Sequence, residues 1–328
     1  MTERDNILRM FNGLPPKWLP IGPRSMYQVG KLVPELFRPH DKEEYDWFGV
    51  HWLPQNELGR VITHPDIWQK PKLEDITRWR EEIVFPNLDS LDWDALARDI
   101  EGDKENLGGR LSFLRFENGL WERLTMLMGF ENALVALALE ADACREYAEE
   151  MADFNIRVID RLLNLYPYDL TIYMDDLGSA KGPLMSPDTY RYVFKEPTRR
   201  VLAYIKSKGS HVGFHSCGRM EAFVGDLVEI GVELLNPVQV WNDQARLKST
   251  FGDKIIFYGG LDNQHITEIA YPEEEKVRAE ARRAAETLGP GGGYIVEMRE
   301  RNTCKNGLDV SGILYHELEL CSKRLYGG

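Results

Sequence analysis

At 328 residues, 43% hydrophobic and 28% charged, the chain has the composition of a globular protein with apolar residues enough for a large core. A formal charge of −13 argues against nucleic acid and anionic membrane as partners, since both need positive regions on the protein. No run nears the roughly 18 apolar residues of a membrane span, and the charged start MTERDNILRM has no apolar signal core, so a cytoplasmic location is expected.

In chain order, residues 18–21 (WLPI) and 111–114 (LSFL) read as early strands. Residues 41–99 break the rhythm, because Trp47, Trp52, Trp68, Trp79 and Trp93 stand among prolines and charges. That segment is expected to be an irregular insertion or small antiparallel hairpin, serving as a lid or as a homodimer contact. Apolar runs then recur at 170–174, 211–215, 233–236, 254–258 and 293–296, separated by helical patterns such as 187–207, 221–230 and 272–288. Strands alternating with helices imply parallel βαβ units. No strand is followed by a Gly-x-Gly-x-x-Gly turn, so a closed barrel is favoured over a dinucleotide-binding sheet. The expected fold is α/β: a single (β/α)₈ TIM barrel spanning residues 1–328 as one domain, with the irregular insertion in its N-terminal third.

Polar residues follow every readable strand of the second half, as at the active face of such a barrel. Asp175 and Asp176 precede a glycine turn and suit either acid–base chemistry or the capping of a helix. His215 and Cys217 lie at i and i+2, on one face of a strand end, so an imidazole nitrogen and a thiolate can reach one zinc ion. Asn236 and Gln239, and then Asp262 and Asn263, are placed to orient a substrate. The run from Glu297 to Glu300 closes the series. A zinc site needs a further protein ligand, and Glu297 and Cys304 are both candidates. Four cysteines in a chain this long do not make a disulfide framework; Cys144 and Cys321 lie in helical patterns and read as buried or partly exposed thiols.

The runs HSCGRM, GVELLNPVQ, FGDKIIFYGGLDNQ and GGGYIVE occur in an order that resembles the uroporphyrinogen decarboxylase superfamily. The stretch DDLGSAKGPLMSPDTYRYVFKEP is similar to its corrinoid-dependent methyltransferase branch. The resemblance is close over residues 165–300 and looser at the start of the chain. It implies a zinc site in which His215 and Cys217 match the first two ligands. The third would fall nearer Glu297 to Glu300 than Cys304, so a carboxylate or a displaced Cys304 would complete it. The arginine-bearing Met-Arg-Gln-Ala-Gly-Arg motif of the decarboxylases themselves is missing; residues 19–26 read LPIGPRSM. A substrate with many carboxylates also needs a basic cleft, which argues against porphyrinogen decarboxylation.

The expected activity is therefore methyl transfer from a small methylated substrate, an aromatic methyl ether before others (O-demethylation), to the cobalt of a corrinoid. Asp175 or Asp176 would handle the proton. No Asp-x-His-x-x-Gly signature is present, so the corrinoid (a cobalamin) is expected on a separate partner protein. Two other readings stand beside this one: a decarboxylase of a smaller substrate, and a barrel that binds a corrinoid or porphyrin without catalysis.

Overall fold

Short apolar runs bounded by polar turns become strands, and the amphipathic stretches between them become the helices that cover the sheet. The computed structural model describes residues 1–327 except 32, 34–35, 40–41, 55–61 and 299–303. Its strands are β1 (Met26–Gln28), β2 (Glu44–Tyr45), β3 (His51–Leu53), β4 (Ile62–Thr63), β5 (Leu111–Phe116) and β6 (Leu170–Met174), followed by β7 (His211–His215), β8 (Leu234–Val238), β9 (Ile256–Gly259) and β10 (Tyr294–Val296).

Seven strands form one sheet in the order β1-β5-β6-β7-β8-β9-β10, every pair parallel. Beyond β10 a parallel bridge joins Val296 to Ile21, and the Val296 amide donates to the Pro20 carbonyl at 2.9 Å. The sheet thereby curls back towards β1, giving a TIM-barrel-like α/β fold. The strand expected at 18–21 exists only as that bridge, because Pro20 has no N–H to give a ladder and a short helix begins at Gly22. β1 itself, three residues long, was not legible as a strand. The helical stretch expected at 187–207 is two helices, Pro187–Val193 and Lys195–Ser207. Those expected at 221–230 and 272–288 are shorter, Val224–Glu229 and Glu274–Leu288.

β6 and β8 are buried at every position, as befits strands covered on both faces. Inside the sheet Leu111, Leu170, Ile172, Met174, Leu234, Ile256 and Ile295 pack together with Ile7 and Met10 of the helix Glu3–Phe11. Arg4 of that helix pairs with Asp169, one residue before β6, so the helix closes the end where the strands begin. The opposite, carboxyl-terminal end is the one at which barrels of this type carry their chemistry.

The tryptophan-rich insertion contains an antiparallel sheet of β2, β3 and β4, followed by single turns and the helix Trp93–Asp103. Phe48, Val50, Trp52, Leu73, Ile76 and Trp79 join the same buried cluster as the helices around the barrel. Asp46 anchors them. Its carboxylate accepts the amides of Phe48 and Val50 and the indole of Trp52, and it pairs with Arg123 in a contact sealed from solvent. Among the described residues, no helix is long and apolar enough to cross a membrane.

Candidate metal centre

β6 and β7 are neighbours in register, Met174 opposite His215, so the residues just beyond their ends meet. Asp176 follows β6, His215 ends β7, and Cys217 stands two residues later. His215 Nε2 lies 3.7 Å from Cys217 Sγ and 3.8 Å from Asp176 Oδ1. Ligand atoms of all three residues lie within 4.8 Å of one another. The Cys217 amide donates to Asp176 Oδ1 at 2.7 Å, which sets the carboxylate against the His-x-Cys turn.

Two glycines allow this approach. Gly218 has φ +85°, and a Cβ on it would come within 2.4 Å of the Gly178 backbone; a Cβ on Gly178 would meet the Cys217 carbonyl oxygen at 2.7 Å. Any side chain at either position would push the two strand-end turns, and with them Asp176 and Cys217, apart.

Behind the imidazole, His215 Nδ1 donates to Asn236 Oδ1 at 2.7 Å, and Asn236 Nδ2 donates to Glu297 Oε2 at 3.2 Å. The donation fixes the tautomer, leaving the Nε2 lone pair directed at Cys217 and Asp176. Burial holds His215 below its ordinary pKa, which keeps the ring neutral. The same cause raises the carboxyl of Asp176. Gln239 Oε1 accepts the Gly218 amide at 2.6 Å, and Asn242 Oδ1 accepts that of Met220 at 2.7 Å, so both amides brace the loop after Cys217.

The other residues expected at the site take different places. The Asp175 carboxylate accepts the amides of Trp121 and Glu122 and so caps the helix Leu120–Met128. Burial and the charge of Glu122 push its pKa up to about 8. Asp262 caps the turn at 263–267, and Asn263 accepts the Thr267 hydroxyl. Both line a cleft with Gln239, Trp241 and Glu297. Cys304 donates to Asn306 and lies outside the converging donors, as does Glu297, which meets them through Asn236; Glu300 is outside the described residues. Cys144 and Cys321 are buried in helices, and burial drives the Cys144 thiol up to about 12, an inert form.

A ring of charge beside the centre escaped the sequence reading. Arg38 pairs with Glu122 at 2.8 Å and with Glu117 at 3.4 Å, and Glu117 also meets Arg115 at 2.9 Å. Burial raises the Glu122 carboxyl in spite of Arg38. Glu117 stands directly after β5, so the rule that polar residues follow barrel strands would have found it. Arg38, beyond a three-residue strand, leaves no such signal.

One nitrogen, one sulfur and one carboxylate oxygen converging beneath an oriented histidine form a donor set that fits zinc.

Comparison with known proteins agrees with this architecture. The family model described as uroporphyrinogen decarboxylase (URO-D) matches residues 63–298. The methylcobamide:CoM methyltransferase MtaA of Methanosarcina barkeri is 31% identical over 118 residues, 35% of this chain and 33% of that protein, so the match spans about a third of its length. A methyltransferase from Methanosarcina mazei superposes with TM-score 0.69 at 15% identity, covering 99% of both chains, which is a likeness of fold.

Proposed function

This chain belongs to the uroporphyrinogen decarboxylase family, and on that footing we propose that it is a zinc-dependent methyltransferase. It moves a methyl group from a small methylated substrate, an aromatic methyl ether before others, to the cobalt of a corrinoid carried by a separate protein. The observation that carries this reading is the convergence of Asp176, His215 and Cys217 at the carboxyl-terminal end of the sheet. The partial similarity to a methyltransferase whose name joins a methylcobamide to methyl transfer supports it.

Asp176, His215 and Cys217 would hold the metal, which when bound supplies Lewis acidity towards the heteroatom that carries the methyl group. Asn236 keeps His215 in the ligating tautomer, and Glu297 holds Asn236 in turn. Gln239 fixes the turn that carries Cys217, while Asp262 and Asn263 line the cleft that Gln239 and Glu297 also line. Glu122 is close enough to Asp176 to feel its charge, and it is the side chain we assign to return a proton to the leaving oxygen. Asp175 acts through the helix it caps and does not face the chemistry.

The test is methyl transfer to free cob(I)alamin from a panel of methyl ethers and methyl thioethers, with metal content measured alongside. Zinc-loaded protein should form methylcobalamin with at least one donor, and chelation should lower kcat more than it raises KM, because the stabilised charge develops only in the transition state. Metal-replete protein that forms no methylcobalamin with any donor, or chelated protein that is equally active, would overturn the proposal. Carbon dioxide release from a carboxylated substrate would put the decarboxylase reading in its place.

A further inference from the structure

We propose a second transition-metal site, of zinc type, on the tryptophan-rich insertion, formed by Glu43, His51 and His64. Antiparallel register builds it. Tyr45 pairs with His51, and the His64 amide donates to the His51 carbonyl at 2.8 Å, so His64 lies across from His51 on its other side. Alternation along a strand then puts Glu43 on the same face as Tyr45. The rings form one row, Tyr45 on His51 at 4.5 Å between centroids and His51 on His64 at 4.2 Å.

The donors are set as a metal would need them. His51 Nε2 and Glu43 Oε1 are 3.0 Å apart, near the roughly 3.3 Å that separates two ligands bound at about 2.0 Å to one tetrahedral zinc. Ligand atoms of Glu43, His51 and His64 lie within 4.8 Å of one another. Asp66 stands behind the pair, its Oδ2 3.0 Å from His51 Nδ1 and its Oδ1 3.2 Å from His64 Nδ1. For His51 that is the carboxylate–histidine arrangement that turns the far ring nitrogen towards a metal, whereas His64 Nδ1 accepts the Asp66 amide at 3.2 Å, so His64 would exchange that cap for the ion on ligation. Two imidazoles and one carboxylate, with a fourth position for water, suit zinc and do not suit magnesium or calcium.

The place also makes physical sense. β2, β3 and β4 have two, three and two residues, far below the length at which a small sheet holds itself together in water. Glu43 precedes β2, His51 opens β3, and His64 follows β4 and caps the next turn. One ion would therefore clip all three strands, and its binding energy would add to the stability of the insertion.

The experiment measures zinc per chain after equilibration with buffered free zinc and gel filtration. It compares the wild type, Cys217→Ser and the double variant His51→Gln/His64→Gln. The double variant should hold one zinc ion fewer than the wild type, and Cys217→Ser should still take up the ion of the insertion. Adding zinc to Cys217→Ser should slow amide hydrogen exchange in residues 44–53 and 62–68, a readout that survives poor folding of the double variant. Equal zinc content in the wild type and the double variant, or exchange in those segments indifferent to zinc, would overturn the proposal. A wild type that loses its single ion in the double variant would uphold this site while contradicting the one on the barrel.

Discussion

Asn236 shows how much one amide settles. Its oxygen accepts a hydrogen bond from His215 Nδ1–H and its nitrogen donates to Glu297, so the imidazole has one tautomer and one orientation. Replacing it with leucine would leave a buried N–H without a partner and the ring without a guide. Asn236→Leu should weaken zinc binding about 10–100-fold, the usual cost of removing such a support, as read by competition with a chromophoric chelator. Wild-type affinity in that variant would dismiss the relay. Cys217→Ser should lose both zinc and methyl transfer, since a hydroxyl is a much poorer ligand than a thiolate. Asp175 and Asp176 separate in the same experiments. Asp176→Ala should lower metal content, whereas Asp175→Ala should cost about 0.5–2 kcal/mol of stability through the lost helix cap. Equal losses of zinc in the two variants would mean the division of roles is wrong.

Between elements, two buried carboxylates tie the insertion and its neighbours to the barrel. Asp46 and Arg123 join the start of the insertion to the helix Leu120–Met128, and both side chains are fully buried. Removing one partner strands a charge, so Asp46→Ala should destabilise the protein by about 3–5 kcal/mol in urea unfolding. A loss below about 1 kcal/mol would show that the pair is dispensable. Asp103 ends the helix Trp93–Asp103 and accepts Tyr27 Oη at 2.6 Å and the Gly30 amide at 3.0 Å. Burial pushes its pKa up, but the hydrogen bonds outweigh burial and the net shift is downward. A depressed carboxylate contributes stability that is complete above its unfolded value of about 3.9 and disappears as pH falls through the lower folded value. The thermal midpoints of wild type and Asp103→Asn should therefore differ at neutral pH and converge on acidification below about pH 4. A gap that widened with acid would refute the assignment.

For the molecule as a whole, the curled sheet is covered by a helix at the end where its strands begin. The helix Glu3–Phe11 seats Ile7 and Met10 against the inward residues of six strands, including Leu111, Leu170, Leu234 and Ile295. Met10→Ala should cost about 2–5 kcal/mol, the range for emptying a buried aliphatic position, with zinc affinity unchanged because the donors sit at the far end. Calorimetry and zinc titration on one sample would check both halves of that statement. Against a net charge of −13, Arg38, Arg115, Glu117 and Glu122 stand in ion pairs with one another. Charge at the site is thus set by paired groups and cannot be read from the net value.

The sequence by itself determined whatever depends on neighbours along the chain. Strand–helix alternation from residue 170 onward carries the parallel sheet, because period and length are local properties. The His215 and Cys217 pairing is legible for the same reason: two residues in a strand share a face whatever else the chain does. The third converging donor was decided by tertiary structure alone. Glu297 and Cys304 follow the last strand as suggestively as Asp176 follows β6, but β6 lies beside β7, and the contact of Gly178 with Gly218 brings Asp176 in. Glu297 is held one residue back by Asn236, and Cys304 turns to Asn306. Arg38 reaches the mouth across 84 residues of chain to meet Glu122, and Asp175 becomes a cap only because a helix from another βα unit starts against it. No pattern within a single segment encodes these meetings, since each is a contact between segments whose distance the folded sheet sets.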